Sequence, residues 1–165
     1  MKDLNPVDNY LHGSWEALGN AAPVLVALAQ VCSETWARSG KSADEPNELL
    51  TKLSPAAKAI LFAAKGRGII EIRAVNSAFD AAARLLAVYV EVDNERTIAF
   101  RDSSNPAVTI EFLEGFRELC QLGLIMHHIY RDFSLTSDAL ATAKLVEESS
   151  VREWLDQATE FGLHD

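Results

Sequence analysis

The sequence predicts an α+β fold within a single domain that spans residues 1–165. Its 165 residues favour one domain, and the 48% hydrophobic fraction suffices for a core that needs neither disulfides nor a metal ion. Helical spacing dominates residues 1–53, whereas strand patterns cluster further along and do not alternate strictly with helices. We therefore expect N-terminal helices that pack on a small antiparallel sheet, which belongs to an α+β part at residues 54–165.

The first third of the chain carries helical spacing. Residues 6–18 are predicted to form a short helix, and Asn20 and Pro23 mark the start of a second one. This second helix is amphipathic with a broad apolar face, and Gly40 ends it. A short helix around residues 47–53 follows. The stripe of the second helix consists of Leu25, Leu28, Cys32 and Trp36, flanked by Val24 and Val31.

The middle third begins with a helix and continues as strands. The Ser-Pro pair at 54–55 is a helix start, and Gly66 ends that helix. The segment GIIEIRAV at 68–75 is rich in β-branched residues and predicts a strand. After it, alanines favour helix up to about Leu85, although the state of residues 77–87 stays open. Alternating valines around an Asp-Asn turn then predict a β-hairpin at 87–101.

The last third predicts a helix, a short hairpin and two further helices. The first helix starts at Asn105 or at Thr109 and stops at Gly123. The stretch GLIMHHIYRDFSLT, residues 123–136, predicts two short strands. The two remaining helices run from Ser137, after a cap at Thr136, to about Glu148, and from Val151 to Phe161, after a capping box of Ser150 and Glu153.

Residues 109–146 resemble a winged-helix module. The resemblance rests on the helix TIEFLEGFRELCQLGLI, the hairpin MHHIYRDFSLT and the helix SDALATAKLV, which together cover about a quarter of the chain. In that family a recognition helix ends at a Leu-Gly-Leu-Ile-like corner, and a two-stranded wing leads into the next helix. The resemblance implies DNA binding, and it equally allows a protein-binding or dimerising module.

The distribution of charge disfavours nucleic acid as the partner. The formal net charge is -9, and residues 137–165 hold seven acidic residues against two basic ones. A recognition helix normally offers Arg, Lys, Asn or Gln to base edges. Here its outer face offers Glu111, Glu114 and Glu118, which repel phosphates, and its useful groups are Arg117 and Gln121. Nucleic acid therefore stays among the possible partners, although the negative charge of the chain disfavours its binding.

Basic residues gather around the sequence Lys65-Gly66-Arg67-Gly68. The segment lacks the glycine and lysine spacing of a phosphate-binding loop. It follows a helix C-terminus, where cations complement the helix dipole, so a structural role accounts for it. The weak candidates for contact with an anion or a nucleic acid are Lys65, Arg67, Arg73 and Arg117.

The adjacent histidines in the first predicted strand of the 123–136 hairpin are the obvious candidates for a metal site. Neighbouring residues of a strand point to opposite faces, so the imidazoles of His127 and His128 are expected to diverge. A zinc site needs three or four converging ligands, and no paired-ligand spacing for one is present in the sequence. We therefore predict no metal ion and no cofactor.

No catalytic residue is predicted from the sequence. Cys120 lies on the apolar stripe of its helix, where a thiol is expected to be protonated and inert. The Arg131-Asp132 pair is expected to form a turn between strands. The best carboxylate pair for acid-base work is Glu71 with Glu91, on neighbouring predicted strands, and two solvated residues of a sheet face are the simpler interpretation.

The compartment is inferred from cysteine usage and apolar runs. One disulfide between Cys32 and Cys120 is conceivable, but two buried thiols in a reducing compartment fit the pattern better. The first sixteen residues lack a signal-peptide pattern, and the run AAPVLVALAQVC is too short to cross a membrane. We expect a cytoplasmic protein without membrane association.

The broad apolar face at residues 24–36 suggests a homodimer, because it is wider than one partner helix can cover. Core packing alone is the competing explanation. Our leading hypothesis is a non-enzymatic protein-interaction or regulatory module, with a winged-helix DNA-binding regulator as the alternative and an enzyme with a cryptic carboxylate or histidine site as the third. The candidate interface residues are Trp15, Leu25, Leu28 and Trp36.

Overall fold

The computed structural model describes residues 22–39, 45–76 and 84–162. These residues form six helices and one six-stranded antiparallel sheet, which confirms the α+β class. The helices are α1 (Ala22–Ser39), α2 (Pro46–Lys52), α3 (Pro55–Ala64), α4 (Pro106–Gln121), α5 (Ser137–Ala143) and α6 (Glu148–Leu155). The strands are β1 (Ile69–Asn76), β2 (Arg84–Glu91), β3 (Arg96–Phe100), β4 (Ile125–Ile129), β5 (Asp132–Leu135) and β6 (Thr159–Gly162).

One face of the sheet packs on the main core. The other, which we call the charged face, carries Glu71, Arg73 and Glu91 beside a small buried apolar cluster of Val75, Ala87, Tyr89 and Ala99. The strand order of the sheet is β4-β5-β1-β2-β3-β6, and every neighbouring pair is antiparallel. Ile70 and Ile72 of β1 are buried in the core that the helices share. Glu71 and Arg73 alternate with them and therefore lie on the opposite face. The described helices thus cover one face of the sheet.

Helix α4 lies at the centre of the core. The Phe112 ring lies 4.8 Å from the ring centroid of Phe100 on β3 and 5.9 Å from that of Trp154 on α6. One turn later, Phe116 makes an edge contact with Phe133 of β5 at 5.1 Å. Since tilted and edge-on aromatic pairs are favourable beyond their buried area, α4 connects the sheet to α6 through its rings.

Helix caps that the sequence predicted are present. The side-chain oxygens of Ser54, Asn105 and Thr136 each accept a backbone N–H at 3.2 Å from the first turn of the following helix. The cap at Asn105 settles the start of α4 in favour of the earlier of the two predicted positions. Gly123, with φ of 75°, ends that helix region as predicted, because glycine adopts this conformation without a steric penalty.

Helix α1 and the short helix after it also match their predictions. Pro23 lies in the first turn of α1, and Leu25, Leu28 and Cys32 are buried in the core. The short helix predicted around residues 47–53 is α2. The helix predicted at residues 6–18 and the helix stop at Gly40 lie outside the described residues.

The sequence left residues 77–87 open between helix and strand, and the structure makes residues 84–87 part of a strand. Strand β2 begins at Arg84, which pairs with Asn76 of β1 in an eight-residue antiparallel ladder. Leu86 and Val88 face the main core, so burial and pairing outweigh the helical propensity of the preceding alanines. The part of the prediction at residues 77–83 lies outside the described residues.

The predicted C-terminal helix boundaries are wrong. The helix predicted from Ser137 to about Glu148 ends at Ala143, and the next helix is α6 rather than residues 151–161. The Ser150 hydroxyl donates to the Glu147 carbonyl at 2.6 Å, and the N-cap of α6 is Glu147, so Ser150 is not the helix cap that the sequence predicted. Residues after α6 form β6, which pairs with the free edge of β3. This long-range pairing overrides the local helical pattern.

Candidate functional site

A cleft of about 620 Å³ lies between α3, the β2–β3 turn and α6, and we call it the α3–α6 cleft. Its volume is in the usual range for small-molecule sites, which are mostly apolar with a few polar groups. Apolar side chains form its floor and charged side chains its edge. The floor consists of the half-buried residues Phe62, Val92, Ile98, Leu155 and Ala158.

Two turns position the walls of the α3–α6 cleft. Helix α3 stops before Gly66, and Gly68, with φ of 70°, redirects the chain into β1. In the β2–β3 turn, the Asp93 carboxylate accepts the backbone N–H groups of Glu95 at 2.8 Å and of Arg96 at 2.9 Å. The Glu95 N–H, followed by the Arg96 side chain, lowers the pKa of Asp93, so the turn is held by a charged acceptor.

Four of the six charged side chains at the edge of the cleft are paired inside the molecule. Arg152 lies 2.7 Å from the Glu148 carboxylate. Arg96 Nε lies 2.8 Å from Asp93, which raises the pKa of the guanidinium, and its Nη1 lies 3.7 Å from Glu160. The edge of the cleft consists of Lys65, Arg96, Arg152, Glu148, Asp156 and Glu160.

The other two edge residues, Lys65 and Asp156, are of opposite sign. Neither side chain forms an ion pair with any residue of the described ranges, and they do not pair with each other. Lys65 Nζ lies 3.9 Å from the centroid of the Phe62 ring, so a cation–π contact holds the ammonium beside the apolar floor. The α3–α6 cleft therefore presents one unpaired cation and one unpaired carboxylate.

The predicted carboxylate pair, Glu71 and Glu91, lies on the charged face of the sheet. Both residues line a shallow depression of about 210 Å³, so the prediction of neighbouring strands and one face is confirmed. Each carboxylate is engaged by arginine: Glu71 by Arg73 at 2.9 Å and by Arg131 at 2.8 Å, and Glu91 by Arg67 at 3.7 Å. The arrangement is one of surface ion pairs, which contribute little stability each.

The four basic candidates do not form one patch. Lys65 lies at the α3–α6 cleft, whereas Arg67 contacts Asn94 and Glu91. Arg73 stacks over a tyrosine ring on the charged sheet face, with 4.4 Å between its guanidinium carbon and the ring centroid. Arg117 lies on the solvent side of α4, 3.4 Å from a glutamate one turn earlier. The helix layer separates it from the charged sheet face.

The two histidines diverge as strand geometry predicted. His127 Nε2 lies 2.8 Å from the Tyr130 carbonyl oxygen, and its ring packs against Phe133 on the core side. His128 Nε2 lies 2.6 Å from the hydroxyl of Ser134, which pairs with the exposed side of β1. No group of three potential metal ligands occurs within residues 22–39, 45–76 and 84–162.

Both cysteines are buried thiols. Cys32 and Cys120 belong to the same core cluster, where α1 packs on α4. Burial raises the pKa of the Cys120 thiol far above its usual range, and the adjacent Cys32 raises it further. The neutral thiol fits the expectation of an inert core residue.

The sequence offered Leu25 and Leu28 as interface residues, and the structure corrects this. Both side chains are buried in the chain's own core, so in this fold no partner can reach them. Their stripe is covered by α4 and β4. Trp15 and the side chain of Trp36 lie outside the described residues. Any contact of α1 with a partner must therefore use its other side.

The segment that resembles a winged helix forms α4, the β4–β5 hairpin and α5 in that order. The hairpin extends the central sheet, because β5 pairs with β1. Comparisons with family models, curated proteins and solved structures find no match for this chain. In the part of the chain that the structure describes, none of the helices combines the length and apolar character needed to cross a membrane.

Proposed function

We propose that the protein is a non-enzymatic interaction or regulatory module of the cytoplasm, and that it acts as a homodimer joined through the outer face of α1. One observation carries this proposal. Residues 22–33 of α1 contain no charged side chain, although the chain carries a net charge of -9. The outer face is defined by its exposed residues Val24, Ala27, Gln30 and Ser33.

An exposed apolar side chain and a shallow groove on α1 support contact with a second helix. Val24 is 45% exposed, within the 41–46% range of the exposed large apolar side chains among the described residues. A shallow groove of about 300 Å³ runs beside it, lined by Val26, Ala29, Gln30, Ser33 and Glu34. Small side chains in such a groove allow the ridge of a neighbouring helix to approach closely.

The absence of charged residues from 22 to 33 favours contact with a second copy at this face. Two molecules of net charge -9 repel each other, and this repulsion is weakest where the contacting surfaces are uncharged. In a twofold arrangement with antiparallel α1 helices, Glu34 of one copy approaches the N-terminal end of the other copy's α1. A carboxylate at that end interacts favourably with the helix dipole. The outer face thus supplies the apolar contact, and Glu34 beside it supplies the complementary charge.

The dimer is tested by Val24→Glu, followed by sedimentation equilibrium of the full chain from the micromolar to the millimolar range. We expect the wild type to form dimers as its concentration rises. The variant should need at least roughly tenfold more protein to reach the same fraction of dimer, because each subunit would bury an unpaired carboxylate in the interface. Ile110→Glu is the matched control, since Ile110 on α4 is 46% exposed and Val24 45%. A strictly monomeric wild type, or equal loss in both variants, would contradict the proposal.

The two other hypotheses from the sequence remain proposals, and contacts among the described residues weigh against each of them. For DNA binding, the outer side of α4 exposes Glu111 and Glu114, and Arg117 is already engaged by Glu114. Glu118 accepts the backbone N–H of Ser54 at 2.8 Å, so it is held in place beside them. For an enzyme, the carboxylates of Glu71 and Glu91 are each already engaged in ion pairs with arginine.

A further inference from the structure

We propose that the α3–α6 cleft binds a free α-amino acid with an apolar side chain, whose carboxylate contacts Lys65 and whose ammonium group contacts Asp156. The proposal concerns a site remote from α1 and does not depend on the dimer. It rests on three features of the cleft: the unpaired charges at its edge, the position of each within the fold, and the apolar floor between the walls.

The pairing of the edge charges selects Lys65 and Asp156. Arg96, Arg152, Glu148 and Glu160 each have a partner of opposite sign, so a ligand that binds one of them competes, though weakly, with a solvent-exposed ion pair. Lys65 and Asp156 offer the same charges without that competition within the described residues. A ligand that carries both signs satisfies both groups, whereas a ligand with one charge leaves one of them unused.

Lys65 is placed to receive a carboxylate. Its ammonium lies over the Phe62 ring, which is a neutral partner and can remain in contact while an anion approaches from the other side. A carboxylate bound there lies beside the floor, so its apolar substituent is directed across Phe62 and its neighbours. The contact also restrains the lysine, which lowers the entropy that binding costs.

Asp156 is placed to receive an ammonium group. It follows the last residue of α6, and its backbone N–H donates to the Arg152 carbonyl at 2.9 Å. The C-terminal end of a helix carries partial negative charge, which adds to that of the Asp156 carboxylate. A small cation is favoured at this point by both effects.

The floor and the overall charge of the cleft agree with a zwitterion. Phe62, Ile98 and Leu155 are half-buried, so an apolar side chain that covers them removes further apolar surface from water. The six edge residues carry three positive and three negative charges. Phosphate-rich ligands would meet three carboxylates there, and a polycation would meet three basic groups, whereas a molecule with one charge of each sign fits.

Isothermal titration of the full chain with L-leucine tests the site. We expect saturable binding with a dissociation constant in the micromolar to millimolar range, and at least roughly tenfold weaker binding to Lys65→Gln and to Asp156→Asn. N-acetyl-L-leucine lacks the ammonium group and L-leucinamide lacks the carboxylate, so both should bind the wild type at least roughly tenfold more weakly than leucine.

The matched controls are Lys144→Gln and Glu153→Gln, which remove one exposed charge of each sign outside the cleft and should bind leucine as the wild type does. Lys65→Gln should lose the preference for leucine over leucinamide but keep the preference over N-acetyl-leucine. No leucine binding at millimolar concentration, equal binding of the blocked analogues, or equal losses in the control variants would overturn the proposal. The Val24→Glu variant should bind leucine normally, so failure of the dimer and failure of this site are distinguishable.

Discussion

Replacing Phe112 with alanine is expected to lower the free energy of unfolding by about 3–5 kcal/mol, the range for a large aromatic deletion in a core. The side chain is fully buried and lies between the rings of Phe100 and Trp154, so its loss opens a cavity among three elements, α4, β3 and α6. Urea unfolding followed by circular dichroism measures the change.

Ile110→Ala is the control for this prediction. Ile110 lies on the same helix but is 46% exposed, so its truncation should change the free energy of unfolding by less than about 1 kcal/mol. If Phe112→Ala and Ile110→Ala destabilised the protein equally, the central position of α4 in the core would be wrong.

Replacing Gly115 with leucine is expected to destabilise the fold by about 3 kcal/mol, at the upper end of the range for overpacking. Helix α4 crosses α3 at this position. A Cβ atom on Gly115 would lie 2.9 Å from the backbone nitrogen of Ala57 and 3.0 Å from the Cβ of Ala56. Because the backbone of α3 cannot move aside as a flexible side chain does, the two helices must separate.

The neighbouring substitution Glu114→Leu separates this clash from a general effect of leucine on α4. The Glu114 side chain is 62% exposed and points to solvent, so leucine there should change the free energy of unfolding by no more than about 0.5 kcal/mol. Equal stability of the Gly115 and Glu114 variants would contradict the close approach of α3 and α4. Thermal unfolding monitored at several wavelengths provides the comparison.

The parts of the fold that the sequence predicted are those set by local chemistry. Ser54, Asn105 and Thr136 cap helices with their own side chains, and Gly123 ends a helix region because of its backbone conformation. These effects act within a few residues and leave a clear pattern. The β4–β5 hairpin was predictable for the same reason.

The wrong prediction for the last helix and the open one for residues 77–87 concern segments whose structure depends on distant residues. Residues 159–161 belong to a helical pattern that Gly162 was predicted to end, but residues 159–162 form β6 because the edge of β3 pairs with them. Strand β2 extends to Arg84 because β1 pairs with it along its whole length. Local propensity cannot register a partner strand that lies elsewhere in the chain.

The α3–α6 cleft was only partly predictable. Lys65 was recognised as a basic residue after a helix, but nothing near it in sequence indicated that Asp156 would line the same cleft. Phe62 and Leu155 are ordinary members of apolar helix patterns, and their exposure in a shared floor results from how α3 packs on α6. Asp156 lay inside the helix predicted at residues 151–161, so its position directly after the end of α6 was not foreseen.

Helix α1 shows why a wide apolar face is ambiguous in a sequence. The pattern combined a stripe that the chain's own core covers, including Leu25 and Leu28, with a second stripe that stays exposed, including Val24 and Ala27. Periodicity identifies both stripes as apolar, but only packing separates them. The proposed dimer uses the second stripe.

Cysteine cross-linking at Ala27 tests the proposed dimer most directly. Ala27 is exposed near the middle of the uncharged part of α1, where a twofold axis between antiparallel helices brings a residue next to its own copy. The native thiols Cys32 and Cys120 are buried and should not react.

Under mild oxidation, Ala27→Cys should give a covalent dimer on a non-reducing gel, whereas Ser149→Cys, exposed on α6, should remain monomeric at the same concentration. Combining Ala27→Cys with Val24→Glu should abolish the cross-link. If Ala27→Cys cross-linked no faster than Ser149→Cys, the outer face of α1 would not be the dimer interface, and the account of this protein as an α1-joined homodimer would be wrong.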